Sequence, residues 1–194
     1  MNLQARVTNI LTKPADEWPV IAGESATVQS LYTDYIVILA AIPAVCKFLG
    51  MAVIGTALFG RYGMGVSLVA GCMSYVMALV GCFIGAFVIE KLAPNFGSSG
   101  DTAQALKLVA YAYTPIWVAG VLNLIPLLGI LTIFAALYAI YIFYLGMAPV
   151  MKTPADKVIP YMLVSALVII VVNFVLAMIV GAMTVAGAVG SYGM

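Results

Sequence analysis

LVAYAYTPIWVAGVLNLIPLLGILTIFAALYAIYIFYLGMAPVM, Leu108 to Met151, runs for 44 residues without an Asp, Glu, Lys or Arg. A membrane-crossing helix needs about 20 apolar residues to cover a hydrocarbon core of about 30 Å, so this stretch is long enough for two. Asn123, Pro126 and Gly129 supply the break between them, because Pro and Gly are the strongest interrupters of a helical run. The reading is a tight antiparallel hairpin, with spans at about 108–124 and 127–148 and an apolar tip. A transmembrane β-barrel would instead show segments of about ten residues with alternating polarity.

Working outward, the pattern repeats. Leu31 to Leu58 is interrupted only by Asp34 at its start and Lys47 near its middle. Gly60-Arg61-Tyr62-Gly63 makes a turn, and a second span runs from Met64 to Ile89, where Glu90-Lys91 ends it. In the polar loop that follows, Asp101 is a good N-cap with Gln104 at the capping-box position. After the hairpin, Thr153-Pro154-Ala155-Asp156 reads as an N-cap, a Pro at N1 and an acid at N3. That predicts a fifth span from Ile159 to Val185, followed by a Gly-rich tail. The expected fold is an all-α integral membrane protein: a five-helix transmembrane bundle over 31–194, preceded by a cytoplasmic, interfacial segment over 1–30. Composition agrees, since 65% of residues are apolar and only 8% charged, against about 25% charged in soluble domains.

The first thirty residues contain Asp16, Glu17 and Glu24 and no apolar run, so they do not read as a signal peptide. Leu3, Val7, Ile10 and Leu11 share one helical face, with Arg6, Asn9 and Lys13 off it. This predicts a short helix lying on the membrane surface. Pro14, Pro19 and Gly23 break the chain, and Trp18 is placed as an interfacial anchor. Charge then orients the bundle. With the N-terminus inside, the inner segments hold Arg6, Lys13, Lys91, Lys107, Lys152 and Lys157, and the outer ones only Arg61. The C-terminus falls outside.

Little here can carry chemistry. There is no His, and no Asp or Glu lies deep in a span, so neither an activated nucleophile nor a carboxylate pair is at hand. Cys46, Cys72 and Cys82 are odd in number and scattered, and read as small buried hydrophobes, not metal ligands. No cofactor is expected. A net charge of +1 without a basic cluster argues against nucleic acid as a partner. Lys47 is the one deep charge, and a Lys at the bilayer centre costs about 2.5–3.5 kcal/mol on insertion scales. It reads either as an anion or lipid-headgroup site or gate, or as a lysine bonded to carbonyls near the break at Pro43, or snorkelling. The structural reading weighs more, because no acid shares its depth. Tyr111 should sit opposite Tyr138 to Tyr141, with Tyr144 one turn on; their hydroxyls would bond across helices or to carbonyls freed near Pro115, beside a role in the interfacial belt. Lys47, Tyr111, Pro115, Asn123, Pro126, Tyr138, Tyr141 and Tyr144 are therefore the residues to follow. Gly81 and Gly85, and the small residues Ala182, Ala186 and Gly190, allow close helix packing, most simply within the bundle.

KLVAYAYTP (Lys107 to Pro115), GVLNLIPLLG (Gly120 to Gly129) and LYAIYIFYLGM (Leu137 to Met147) resemble the core of the Yip family, five-span membrane proteins named for interaction with Ypt/Rab GTPases. KPADEW (Lys13 to Trp18) and KLAPNFGSSG (Lys91 to Gly100) resemble its bacterial branch. The resemblance implies membrane traffic or membrane organisation in eukaryotes and supplies no catalytic residues. Eukaryotic members carry a longer cytosolic region before the first span, which directs the expectation away from GTPase binding. The expected role is a non-enzymatic protein of the bacterial inner membrane that organises or shapes the bilayer or scaffolds partners in it. Its partners would be lipids, other membrane proteins or copies of itself. The alternative is a transporter, channel or lipid scramblase, which would need a polar-lined cavity reaching both faces, where a scaffold would show a filled core.

Overall fold

A computed structural model describes residues 2–55, 60–172 and 174. Every regular element among them is helical. Two short helices, α1 (Leu3–Thr12) and α2 (Pro14–Gly23), precede the bundle. Four helices long and apolar enough to cross a membrane follow: α3 (Val28–Ile54), α4 (Met64–Phe96), α5 (Thr102–Leu124) and α6 (Pro126–Met151). A shorter apolar helix, α7, spans Val158–Val172. The expected continuation of that helix to Val185, with Ala182, Ala186 and Gly190, lies outside the described residues.

Local chemistry sets the helix starts. The Asn2 side chain accepts from the Ala5 N–H, and Thr27 and Ser30 form a reciprocal capping box at α3. Asp101 caps α5 by accepting from the Gln104 N–H at 2.8 Å. The return arm of that box does not form, because Gln104 Oε1 is buried without a partner among the described residues. The start expected at Thr153 is also displaced. Thr153 is buried and accepts from Ser98 Oγ at 2.9 Å, so its hydroxyl serves the neighbouring loop, and α7 begins only at Val158. Helix α3 stops at Ile54, short of Leu58, and is π-helical over Tyr32–Ile36, just after its first turn, and over its last turn, Gly50–Ile54.

Helix α5 lies at the centre and is the most interrupted. Pro115 has no N–H to offer Tyr111, and the Thr114 hydroxyl donates to that carbonyl instead, at 2.7 Å. The α-helical turns stop at Ala112, resume over Thr114–Ala119, and tighten to 3₁₀ over Gly120–Leu124. Ile125, forced into an extended conformation by the proline after it, makes the hairpin turn (φ −108°, ψ 104°). Gly120 packs on Pro43, and a Cβ added at Gly50 would lie 2.2 Å from the Asn123 carbonyl oxygen. Helices α3 and α5 therefore touch backbone to backbone. The tip reaches the height of the last turns of α3. Gly85 lies in ordinary contact distance of Val109 and Ile169, within the bundle.

The largest departure from expectation is at the N-terminus. The stripe of α1 faces protein, with Ile10 fully buried and Leu3, Val7 and Leu11 packed against the core. The α1–α2 hairpin runs down the side of α6, where Tyr138 donates its hydroxyl to the Leu11 carbonyl at 2.8 Å. Trp18 is no interfacial anchor. It is 1% exposed, and its Nε1–H donates to the Ile142 carbonyl at 2.9 Å. An indole buried this deeply needs an acceptor for its N–H, and Gly146 clears the space: a Cβ there would lie 2.6 Å from the Trp18 ring.

Candidate functional site

The two ends of the bundle carry different polar chemistry. At the end where α3, α5 and α7 begin, here the charged end, Arg6 is buried between Glu17 and Glu24 and ion-paired with both. Asn9 Nδ2 donates to the second Glu17 oxygen at 3.0 Å. The guanidinium lies 5.7 Å from the centre of the Tyr111 ring, which meets Trp18 and Tyr35 edge-on. Tyr35 and Thr114 share a hydrogen bond of 2.7 Å, the same Thr114 that donates to the Tyr111 carbonyl. Lys107, also buried, donates to the carbonyls of Ile21 and Glu24. It thereby caps the C-terminus of α2, where unpaired carbonyls and the helix dipole favour a cation. Two cations and two carboxylates balance, and each is held by protein groups. The cluster is a lock fastening α1–α2 to α5.

Toward the hairpin tip, a cavity of about 640 Å³ opens between α3, α4 and α5. Lys47, Asn123 and Pro126, three of the residues followed from the sequence, line it together with Tyr62, Tyr113 and Trp117. Lys47 is exposed, and among the described residues no hydrogen bond or ion pair holds it. It lies seven residues before Ile54, about 10 Å from the end of α3, so it sits in the last third of the helix and not at its middle. The break at Pro43 does not supply it with carbonyl acceptors.

The tyrosines divide. Tyr111 enters the core beside Arg6, Tyr138 ties down α1 and stacks on Tyr141, and Tyr141 and Tyr144 face outward. Tyr111 thus packs on Trp18 and Tyr35, where the hairpin fold alone placed Tyr138 and Tyr141 opposite it. The Tyr138 bond to Leu11 is a cross-helix hydroxyl bond of the kind expected, and further tyrosines make others: Tyr32 to the Leu79 carbonyl, Tyr75 to Val37 and Tyr161 to Ile89. Sequence reading missed Arg6, Glu17, Trp18, Tyr35 and Lys107 as a unit. The available signal was the seven-residue spacing of Glu17 and Glu24, which sets two acids on one side of a helical segment with cations off the apolar face of α1.

Long apolar helices with outward-facing Val, Ile, Leu and Phe define an α-helical integral membrane protein. Among the described residues, its interior joins helices through backbone acceptors and a neutral ion cluster. The chain belongs to the Yip1-domain family, whose model matches residues 8–191. It is similar to the inner membrane protein YohC from two strains of Escherichia coli, each 28% identical over 151 residues, covering 73% of this chain and 76% of the relative. No solved structure matches it.

Proposed function

We propose that this is a non-enzymatic protein of the bacterial inner membrane that shapes the bilayer around it. Helices α3 to α7 are its five spans, α1–α2 lie on the cytoplasmic side and the C-terminus lies outside, the orientation favoured by six cations against one. One observation carries this reading, an uneven apolar belt. The outward face of α1–α2 presents Gln4, Thr8, Asn9, Thr12, Lys13 and Asp16. Through the bond between Tyr138 and Leu11 it descends to a level 13 residues before Met151, about 20 Å down α6. Elsewhere at the charged end, Phe87 of α4 and Ile159 of α7 still face outward. Hydrocarbon does not cover Lys13 and Asp16 at low cost, so water reaches them and the bilayer beside α6 is thinner than beside α4 and α7. A bundle that imposes unequal thickness on its flanks bends or tilts the lipid around it. Lipids are its direct partners in this reading.

The test uses the full chain in vesicles. Wild-type protein is expected to shift vesicles toward smaller radii as protein density rises. The variant Thr8→Leu/Thr12→Leu/Asp16→Leu, which removes three of the six polar side chains of the exposed flank without touching the core, is expected to weaken that shift. Equal vesicle shapes for both proteins count against the proposal. A path through the bundle is the second reading, favoured by the Lys47 cavity. Toward the charged end, Tyr35, Tyr111 and Trp117 fill the interior, which supports a packed core. Labelled-lipid or anion flux through the same vesicles, abolished by Lys47→Met, would reverse the order of the two readings.

A further inference from the structure

We infer that the cavity at the tip end is a binding site for a phosphodiester headgroup, with Lys47 as its principal cation. All seven acids of the chain (Asp16, Glu17, Glu24, Asp34, Glu90, Asp101 and Asp156) lie in segments at the charged end. The two cations toward the tip, Lys47 and Arg61, therefore have no carboxylate side chain to neutralise them. The structure brings these two cations onto the same stretch of α3. Tyr62 N–H donates to the Met51 carbonyl at 3.1 Å, and Arg61 Nε–H to the Ala52 carbonyl at 3.2 Å. The loop thus folds back over the last turns of α3, and Met51 is one helical turn beyond Lys47. The Arg61 bond uses only Nε–H, so its terminal nitrogens remain for an anion.

The cavity supplies the rest of such a site. Tyr62, Tyr113 and Asn123 bring hydrogen-bond donors to its wall, and Met51, Met77 and Trp117 make the remainder apolar. A basic pocket between transmembrane helices is suited to an anionic headgroup whose acyl chains stay in the bilayer. On α4, Val76 and Val80 face outward beside the lining residues Met77 and Gly81, so an apolar surface continues from the cavity rim. A phosphodiester matches this combination of a lining cation at Lys47, a second cation beside the lining residue Tyr62, neutral donors and adjoining apolar surface. Its source is a membrane phospholipid or a free phosphate, and the two separate by experiment. The site is independent of the uneven belt at α1–α2, and either reading can fail without the other.

The full chain purified in detergent is titrated with phosphatidylglycerol, with diacylglycerol lacking the phosphate, and with inorganic phosphate, and bound lipid is read by native mass spectrometry. Wild type is expected to retain phosphatidylglycerol over diacylglycerol. Lys47→Met is expected to weaken that binding about tenfold or more, the scale of losing a charge-assisted contact, and Lys47→Arg to retain it. Competition by inorganic phosphate assigns the site to phosphate itself; failure to compete assigns it to the lipid. Equal binding of phosphatidylglycerol and diacylglycerol, or unchanged binding in Lys47→Met, overturns the inference. Arg61→Gln, in a loop, gives the same readout at about threefold or more should Lys47→Met fail to fold. Unchanged lipid binding there also counts against the site.

Discussion

The charged end and the tip end of this bundle solve the problem of charge in a membrane protein in opposite ways. At the charged end, Arg6 and Lys107 are buried and every one of their charges is met by a carboxylate or a backbone carbonyl. At the tip end, Lys47 is exposed to a cavity with no acid side chain at its level. A buried pair holds structure because removing one partner strands the other. An exposed cation holds little and is left available for a ligand. The difference separates residues that build the fold from residues that meet what lies outside it.

The sharpest way to break this comparison is to remove a charge from each end. Arg6→Met strands Glu17 among Trp18, Tyr111 and Tyr35, and is expected to cost about 3–5 kcal/mol, the usual range for an orphaned buried charge. Lys47→Met is expected to change stability by less than about 1 kcal/mol, as for other exposed charges. Unfolding titrations of both variants in the same detergent read the contrast, and equal losses would erase it.

A second contrast uses glycine. Gly146→Ala places a methyl against the Trp18 ring and Leu108 and is expected to cost about 1–3 kcal/mol through overpacking, with loss of the blue-shifted fluorescence of Trp18, read in a Trp117→Phe background. Gly85→Ala, whose new Cβ would meet Val109 at 3.6 Å, is expected to be neutral or stabilising by up to about 1 kcal/mol. Thr114→Val leaves the Tyr111 carbonyl and the Tyr35 hydroxyl without their bonds to it, at about 1–3 kcal/mol. Thermal unfolding followed by circular dichroism measures each.

The smallest effect concerns Lys152, the one non-glycine residue with positive φ among those described (52°), where α6 ends in a left-handed turn. Lys152→Gly removes the Cβ strain and is expected to stabilise by up to about 1 kcal/mol, detectable as a small rise in melting temperature.

The apolar runs made the helices legible. In lipid a backbone must satisfy its own hydrogen bonds, so a long uncharged run has almost no choice but to be helical. The hairpin break at Asn123 to Pro126, the cap at Asp101 and the amphipathic stripe of α1 followed from neighbouring residues alone. Within the cavity, Lys47 stood out because a charge in an apolar run is conspicuous. Tyr62, Tyr113 and Trp117 did not, because aromatic residues are ordinary in such runs.

What the sequence by itself determined, then, is the class of protein, the identity of its long helices and the residues that interrupt them, since each depends on contacts within a few residues. Which surface α1 covers, where Trp18 goes and whether a charge is buried were decided only in three dimensions. Gly146 makes room for an indole 128 positions earlier in the chain, and Lys107 caps a helix 84 residues upstream of it. A stripe of Leu, Val and Ile is equally content against lipid or protein, because both are apolar. The choice fell to the polar groups around it, Trp18 and Tyr138, whose hydrogen bonds to the Ile142 and Leu11 carbonyls form only when α1–α2 lies against α6.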